Sequence, residues 1–127
     1  MKLLLIIFLA LSFSISTAQT RADAAVKKVK DFYITKNAGL VKGTFYFNKS
    51  ENIIEIIGAQ IPLFDVKCTY FYSDASYTSS THMVQFDCSD GSNCIPPNSS
   101  GFGIPFKTKD DCYTFINLIY ELKKAIR

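Results

Sequence analysis

Thr81-His82-Met83-Val84-Gln85-Phe86-Asp87-Cys88 opens the stretch that decides the fold, and it continues through Ser89-Asp90-Gly91-Ser92-Asn93 and Cys94-Ile95. Beyond the Pro96-Pro97-Asn98-Ser99-Ser100 loop come Gly101-Phe102-Gly103-Ile104-Pro105-Phe106 and a long run to Arg127. Apolar and polar residues alternate from Thr81 to Cys88, which puts Val84, Phe86 and Cys88 on one face of a strand. The 89–93 segment is turn chemistry, Cys94-Ile95 resumes an extended run, and Gly101 to Phe106 reads as one more short strand. Cys112, Phe115, Ile116, Ile119, Leu122 and Ile126 then recur at three- and four-residue spacings, while Tyr113, Asn117 and Lys124 fall off that line. Thr108 is a capping residue, Asp110 and Asp111 sit in the first turn, and Lys123, Lys124 and Arg127 complement the other end of the dipole. An amphipathic helix over 108–126 follows, with its apolar stripe against a sheet or across a barrel mouth.

Strands dominate upstream, from 40 to 106. Val41, Gly43, Phe45 and Phe47 alternate with Lys42, Thr44, Tyr46 and Asn48, the pattern of a half-buried strand. Asn48 to Asn52 reads as a turn into Ile53-Ile54-Glu55-Ile56-Ile57, and Gly58-Ala59-Gln60 as a second turn. Ile61 to Tyr72 is expected as one long strand with a bend or bulge, with Phe64, Val66 and Cys68 on one face and Asp65, Lys67 and Thr69 on the other. Ser73 to Ser80 is loop-like. Before the strands, Ala22, Ala25, Val26, Val29 and Phe32 fall at helical spacing, so 19–38 is expected to be a helix stopped by Asn37-Ala38-Gly39. Its Lys27, Lys28 and Lys30 read as a solvated face.

Residues 1–18 carry processing information. Met1-Lys2 is a short basic start, Leu3 to Leu11 is unbroken apolar sequence, and Ser16-Thr17-Ala18 supplies the small residues that signal peptidases read. The run is short for a spanning helix, and with no cysteine before Cys68 a lipid anchor on a cysteine beside the cleavage site is excluded. The remaining 19–127 segment fits one domain, of a size that buries about two-thirds of its unfolded surface. The formal charge of +3, lowered by one when Lys2 is removed, is too small to argue for nucleic acid or an acidic membrane surface. The expectation is a secreted or periplasmic protein, with no membrane association after cleavage.

Cysteines give the strongest local chemistry. Cys88 and Cys94 flank a five-residue turn, and an oxidising compartment favours a disulfide between them. Cys68 and Cys112 leave two readings open, a bond across strand and helix or two buried thiols. No Cys-x-x-Cys pair suggests a metal, and nothing in the sequence calls for a cofactor. His82, the only histidine, shares strand parity with Val84 and Phe86 and reads as structural. Asp65, Asp87 and Asp90 are the carboxylates nearest to glycosidase chemistry, but their strand and turn positions account for them, so no catalytic residue is assigned. Asn48-Lys49-Ser50 and Asn98-Ser99-Ser100 match the glycosylation acceptor pattern. The Tyr70-Phe71-Tyr72 run with Tyr77 behind it is the candidate recognition surface, with Tyr70, Tyr72 and Tyr77 as its ligand-binding residues.

Ile61-Pro62-Leu63-Phe64-Asp65-Val66, the Phe86-Asp87-Cys88 to Cys94-Ile95 segment and Ile104-Pro105-Phe106 before the final helix resemble small, uncharacterised, secreted bacterial domains of the pleckstrin-homology-like type. The resemblance spans about 40–127. It implies an α+β fold in which a strongly bent antiparallel sheet, or partly open barrel, is closed by the C-terminal helix. It does not carry inositol-lipid binding across, because the 48–52 turn offers Lys49 beside Glu51 instead of a basic cluster, and the chain has no tryptophan. The functional expectation is a non-catalytic binding module for a protein or glycan, with a small secreted hydrolase or hydrolase inhibitor as the alternative. Processing is directly testable: intact-mass analysis of exported protein should give a chain starting at Gln19, and a retained Met1 would overturn the cleavage assignment.

Overall fold

The computed structural model describes residues 2–37, 44–73 and 81–127. Its elements are α1 (Lys2–Lys36), β1 (Phe45–Asn48), β2 (Ile53–Ile56), β3 (Ala59–Pro62), β4 (Val66–Ser73), β5 (Thr81–Cys88), β6 (Gly101–Phe106) and α2 (Lys109–Ala125). The strands form two antiparallel three-stranded sheets, β1-β2-β3 and β4-β5-β6, in place of one bent sheet or partly open barrel. The break falls inside the expected 61–72 strand. A turn over Leu63 to Asp65 is closed by the Asp65 N–H donating to the Pro62 carbonyl at 3.0 Å, and Leu63 is turned fully inward there. Phe64, expected beside Val66 and Cys68, is consequently 42% exposed, with the Arg127 guanidinium over its ring.

The first sheet is two tight hairpins. Asn48 accepts from the Ser50 and Glu51 N–H groups and from the Ser50 hydroxyl, which fixes the first turn. The second turn is Ile57-Gly58, with φ of 52° and 78°, so it begins one residue earlier than the composition suggests, and Ala59 and Gln60 belong to β3. A two-residue loop with both φ values positive matches the twist of the flanking strands, and glycine takes that geometry without strain, unlike the β-branched Ile57. Phe45, Ile54, Ile56, Ala59 and Ile61 are buried, while the alternating Tyr46 and Gln60 face out. Val41 and Gly43 lie outside the described residues.

The second sheet carries the core. Val66 and Cys68 on β4, Val84 and Phe86 on β5, and Ile104 and Phe106 on β6 share one face, and the stripe of Cys112, Phe115, Ile116, Ile119 and Leu122 lies over them. Thr108 caps α2 as expected, its hydroxyl accepting from the Asp111 N–H at 3.0 Å. Helix α1 lies beside α2, with Phe32 6.3 Å from Phe115, and reaches the first sheet through Tyr33 and Phe45 at 5.8 Å. It runs unbroken from Lys2, well before the expected start at Gln19, to Lys36, and the side-chain amide of the next residue, Asn37, donates to the Pro105 carbonyl at 2.8 Å. Helical hydrogen bonding needs no change of polarity, so nothing local stops the helix at the apolar-to-basic transition. Among the described residues no helix is long and apolar enough to cross a membrane.

Cys88 and Cys94 are disulfide-bonded with Cα atoms 5.8 Å apart. Closing so small a loop restricts the unfolded chain by about 2 kcal/mol, so the bond fixes a loop. The 89–100 segment is held further by Ser89 N–H to the Asp65 carbonyl and by reciprocal bonds between Ile95 and Ser99. The extended run expected at Cys94-Ile95 amounts to one isolated bridge to Ser99.

Cys68 and Cys112 are unbonded thiols in the core. Burial pushes Cys68 up to about 12, with the Lys123 charge pulling the other way, and burial pushes Cys112 up to about 11. Because the folded chain holds both protons more tightly, stability is whole below the ordinary thiol value of 9.0 and is lost as pH rises towards about 12. Alkylation of native protein near neutral pH should therefore leave both thiols unmodified, while denatured protein labels at both; fast native labelling would contradict the packing. Phe115→Ala or Ile119→Ala should cost about 2–5 kcal/mol in urea unfolding, and the half-exposed Tyr113→Ala less than about 1 kcal/mol. A cost at both core positions no larger than at Tyr113 would mean that α2 is not docked on the sheet.

Candidate recognition site

On β4 the inward face passes from core to surface along a single line of alternate residues. Val66 and Cys68 are buried, Tyr70 is half-buried, and Tyr72 is 46% exposed. The change has a simple cause. Helix α2 begins at Lys109, close to Tyr70, so the inner face of the sheet beyond that level is left without a helical cover. Tyrosine suits such a boundary, because its ring packs against the core edge while its hydroxyl reaches water.

Around this rim the rings are in contact. Tyr70 stacks on Tyr113 from the first turns of α2, with centroids 5.4 Å apart. It also stacks on His82 at 5.9 Å, and Tyr72 meets His82 at 5.2 Å as its cross-strand neighbour. Tyr70 Oη and His82 Nδ1 share a hydrogen bond of 2.7 Å. The Lys109 ammonium lies over the rings of both Tyr70 and Tyr113, at 5.3 and 5.9 Å from their centroids. Desolvation holds the Tyr70 phenol above its ordinary value, and Cys112, Tyr113 and Tyr72 add to that. The hydroxyl is therefore protonated at neutral pH and donates to Nδ1 whenever that nitrogen carries no proton.

The structure thus brings Tyr70 and Tyr72 together on one face, while Tyr77 lies outside the described residues. Phe71 points to the opposite side of the sheet and is 53% exposed, beside its cross-strand neighbour Met83. Three members are not found by reading the sequence: Tyr113, Lys109 and His82. The Lys109–Tyr113 pair has a local signal, an i,i+4 spacing on a helix. The Tyr72–His82 pairing has none, since it depends on the register across the 74–80 connection.

The carboxylates are arranged differently. Asp87 lies on the same strand as His82 but an odd number of residues away, and so on the other face of the sheet. Its side chain accepts from Gln85 at 3.3 Å. Asp90 sits in the disulfide loop, where hydrogen bonds from Ser92 hold its carboxyl below the ordinary range. Among the described residues no salt bridge joins His82 to a carboxylate, and no group of three or more His, Cys, Asp or Glu side chains could hold a metal ion. Of the two acceptor-pattern asparagines, Asn48 is engaged in its own turn and Asn98 accepts from Asn93 at 2.7 Å.

A surface of this kind offers three half-exposed or rim-lying tyrosines, an imidazole and an ammonium within one patch, which is chemistry for holding a partner by ring contact and a few polar bonds. Comparison of the chain with protein-family models, with curated proteins and with solved structures returned no match.

Proposed function

We propose that this protein is a secreted, non-catalytic binding module whose recognition surface is the Tyr70, Tyr72, His82, Tyr113 and Lys109 cluster, taking a protein or glycan partner. The observation that supports it best is the emergence of the tyrosine-bearing face of β4 beyond the start of α2, where ring contacts pre-order the side chains before any partner arrives. Pre-ordering lowers the entropy lost on binding, and tyrosine has little to lose. Export rests on the apolar Leu3 to Leu11 run with Ser16-Thr17-Ala18, and the Cys88–Cys94 bond is compatible with an oxidising compartment. The pleckstrin-homology-like reading is supported by a C-terminal helix packed on an antiparallel sheet, in a version with two separate sheets.

The test is partner capture by wild type and by Tyr72→Ala and Tyr113→Ala, using a glycan array and a pull-down from source-cell extract. Residues at the centre of an interface cost more than about 1 kcal/mol on truncation, which is about fivefold or more in affinity. Both variants should lose binding by that factor with an unchanged circular dichroism spectrum, since both side chains are about half exposed. Undiminished capture by both variants would assign the tyrosines to sheet stability alone.

A further inference from the structure

The seam between α1 and α2 is open along part of its length, away from the tyrosine surface. Ala24 and Ala25 on α1 and Leu118 and Ala125 on α2 line an open groove of about 450 Å³. Alanine explains the space, because a side chain that ends at Cβ cannot fill the groove between two packed helices. Beside it lies a second, shallow and open stretch of about 380 Å³, which shares Lys28 and Leu118 with the first and adds Phe32. From Arg21 to Lys36 the trough follows α1 for about 22 Å at the helical rise.

Its rim is charged with one sign to spare. Arg21, Lys28 and Lys124 border the first stretch and Lys36 the second. The acidic residues beside them are already engaged, Glu121 with Lys124 at 3.4 Å and Asp31 with Lys27 at 2.6 Å. Arg21, Lys28 and Lys36 have no carboxylate partner among the described residues. The result is an apolar strip along the α1–α2 seam with unpaired cations on its α1 side.

We propose that this trough binds a monomeric anionic amphiphile, a single long acyl chain ending in a carboxylate. The headgroup lies between Arg21 and Lys28, and the chain runs over Leu118 towards Phe32. Charge complementarity selects the anion, and the length and apolar strip select the chain. A helix that adsorbs to a bilayer presents a protruding apolar face to it, whereas here the apolar residues lie in the seam between two helices, beside the α1 cations. A free amphiphile therefore fits where a membrane surface does not.

The experiment is a titration of the purified protein, followed by amide NMR, with laurate below its critical micelle concentration. Dodecyltrimethylammonium and acetate serve as probes matched in tail and in headgroup. Laurate should saturate, with shifts confined to 21–36 and 118–125; acetate should give none, and the cationic surfactant should bind about tenfold more weakly or worse. Ala24→Leu, which fills the trough from an exposed position, and Lys28→Glu, also exposed, should each weaken laurate by about tenfold. Circular dichroism checks that both variants fold, and if Ala24→Leu disturbs α1 the Lys28→Glu result decides alone. Equal binding of the two surfactants, shifts centred elsewhere, or no saturation would overturn the assignment. So would adsorption to phosphatidylglycerol vesicles without laurate uptake, which would make the helix pair a bilayer contact.

Discussion

Phe115 is the residue on which the described structure converges. Its ring lies 5.1 Å from Phe106 on β6, 6.4 Å from Phe86 on β5 and 6.3 Å from Phe32 on α1. One side chain of α2 thus joins the central strand, an edge strand and the first helix in a single apolar contact set. Aromatic burial is the largest stabilising contribution a side chain can make, and edge-to-face and tilted pairs add to it. With that joint formed, the sheet-facing and α1-facing sides of α2 are set, and so is the level on β4 at which its first turn begins.

That starting level determines where the aromatic cluster at the rim of the sheet lies. Cys68 and Tyr70 are equivalent by strand parity, yet one is a core thiol and the other a rim tyrosine. The difference between them is only how far α2 extends over the sheet. Lys109, in the first turn, rests its ammonium over two rings, and Tyr113 stacks one turn further on. At the other end of α2, Lys123 donates to the Val66 carbonyl at 2.9 Å, with burial holding its amine below the ordinary value. The helix is therefore fixed along β4 at both ends by lysines. The α1 side of the same helix works in the opposite sense, since small residues there leave the seam unfilled.

Much of this architecture is legible in the sequence. The α2 stripe, its Thr108 cap, the parity of β5 and the β1–β2 hairpin follow from spacing and turn chemistry, which act within a few residues. The Cys88–Cys94 bond follows from the turn between the two cysteines. What misleads is the stretch from Ile57 to Tyr72, where the apolar pattern continues through Leu63 and Phe64 although the chain turns. A turn without glycine, closed by one backbone hydrogen bond from Asp65 to Pro62, leaves little trace in composition.

The sequence by itself determined α2 and its buried face, β5, the β1–β2 hairpin, the local disulfide and the shared strand parity of Tyr70 and Tyr72, because each depends on neighbours a few positions away. Tertiary structure decided that the strands divide into two sheets, that Cys68 and Cys112 stay unbonded, and that His82, Tyr113 and Lys109 join Tyr70 and Tyr72. It also decided that an open, partly apolar trough runs along the α1–α2 seam beside Arg21, Lys28 and Lys36. These outcomes depend on register across connections and on where one element ends over another. Such distances are fixed by packing the whole core at once, and no window of sequence contains them.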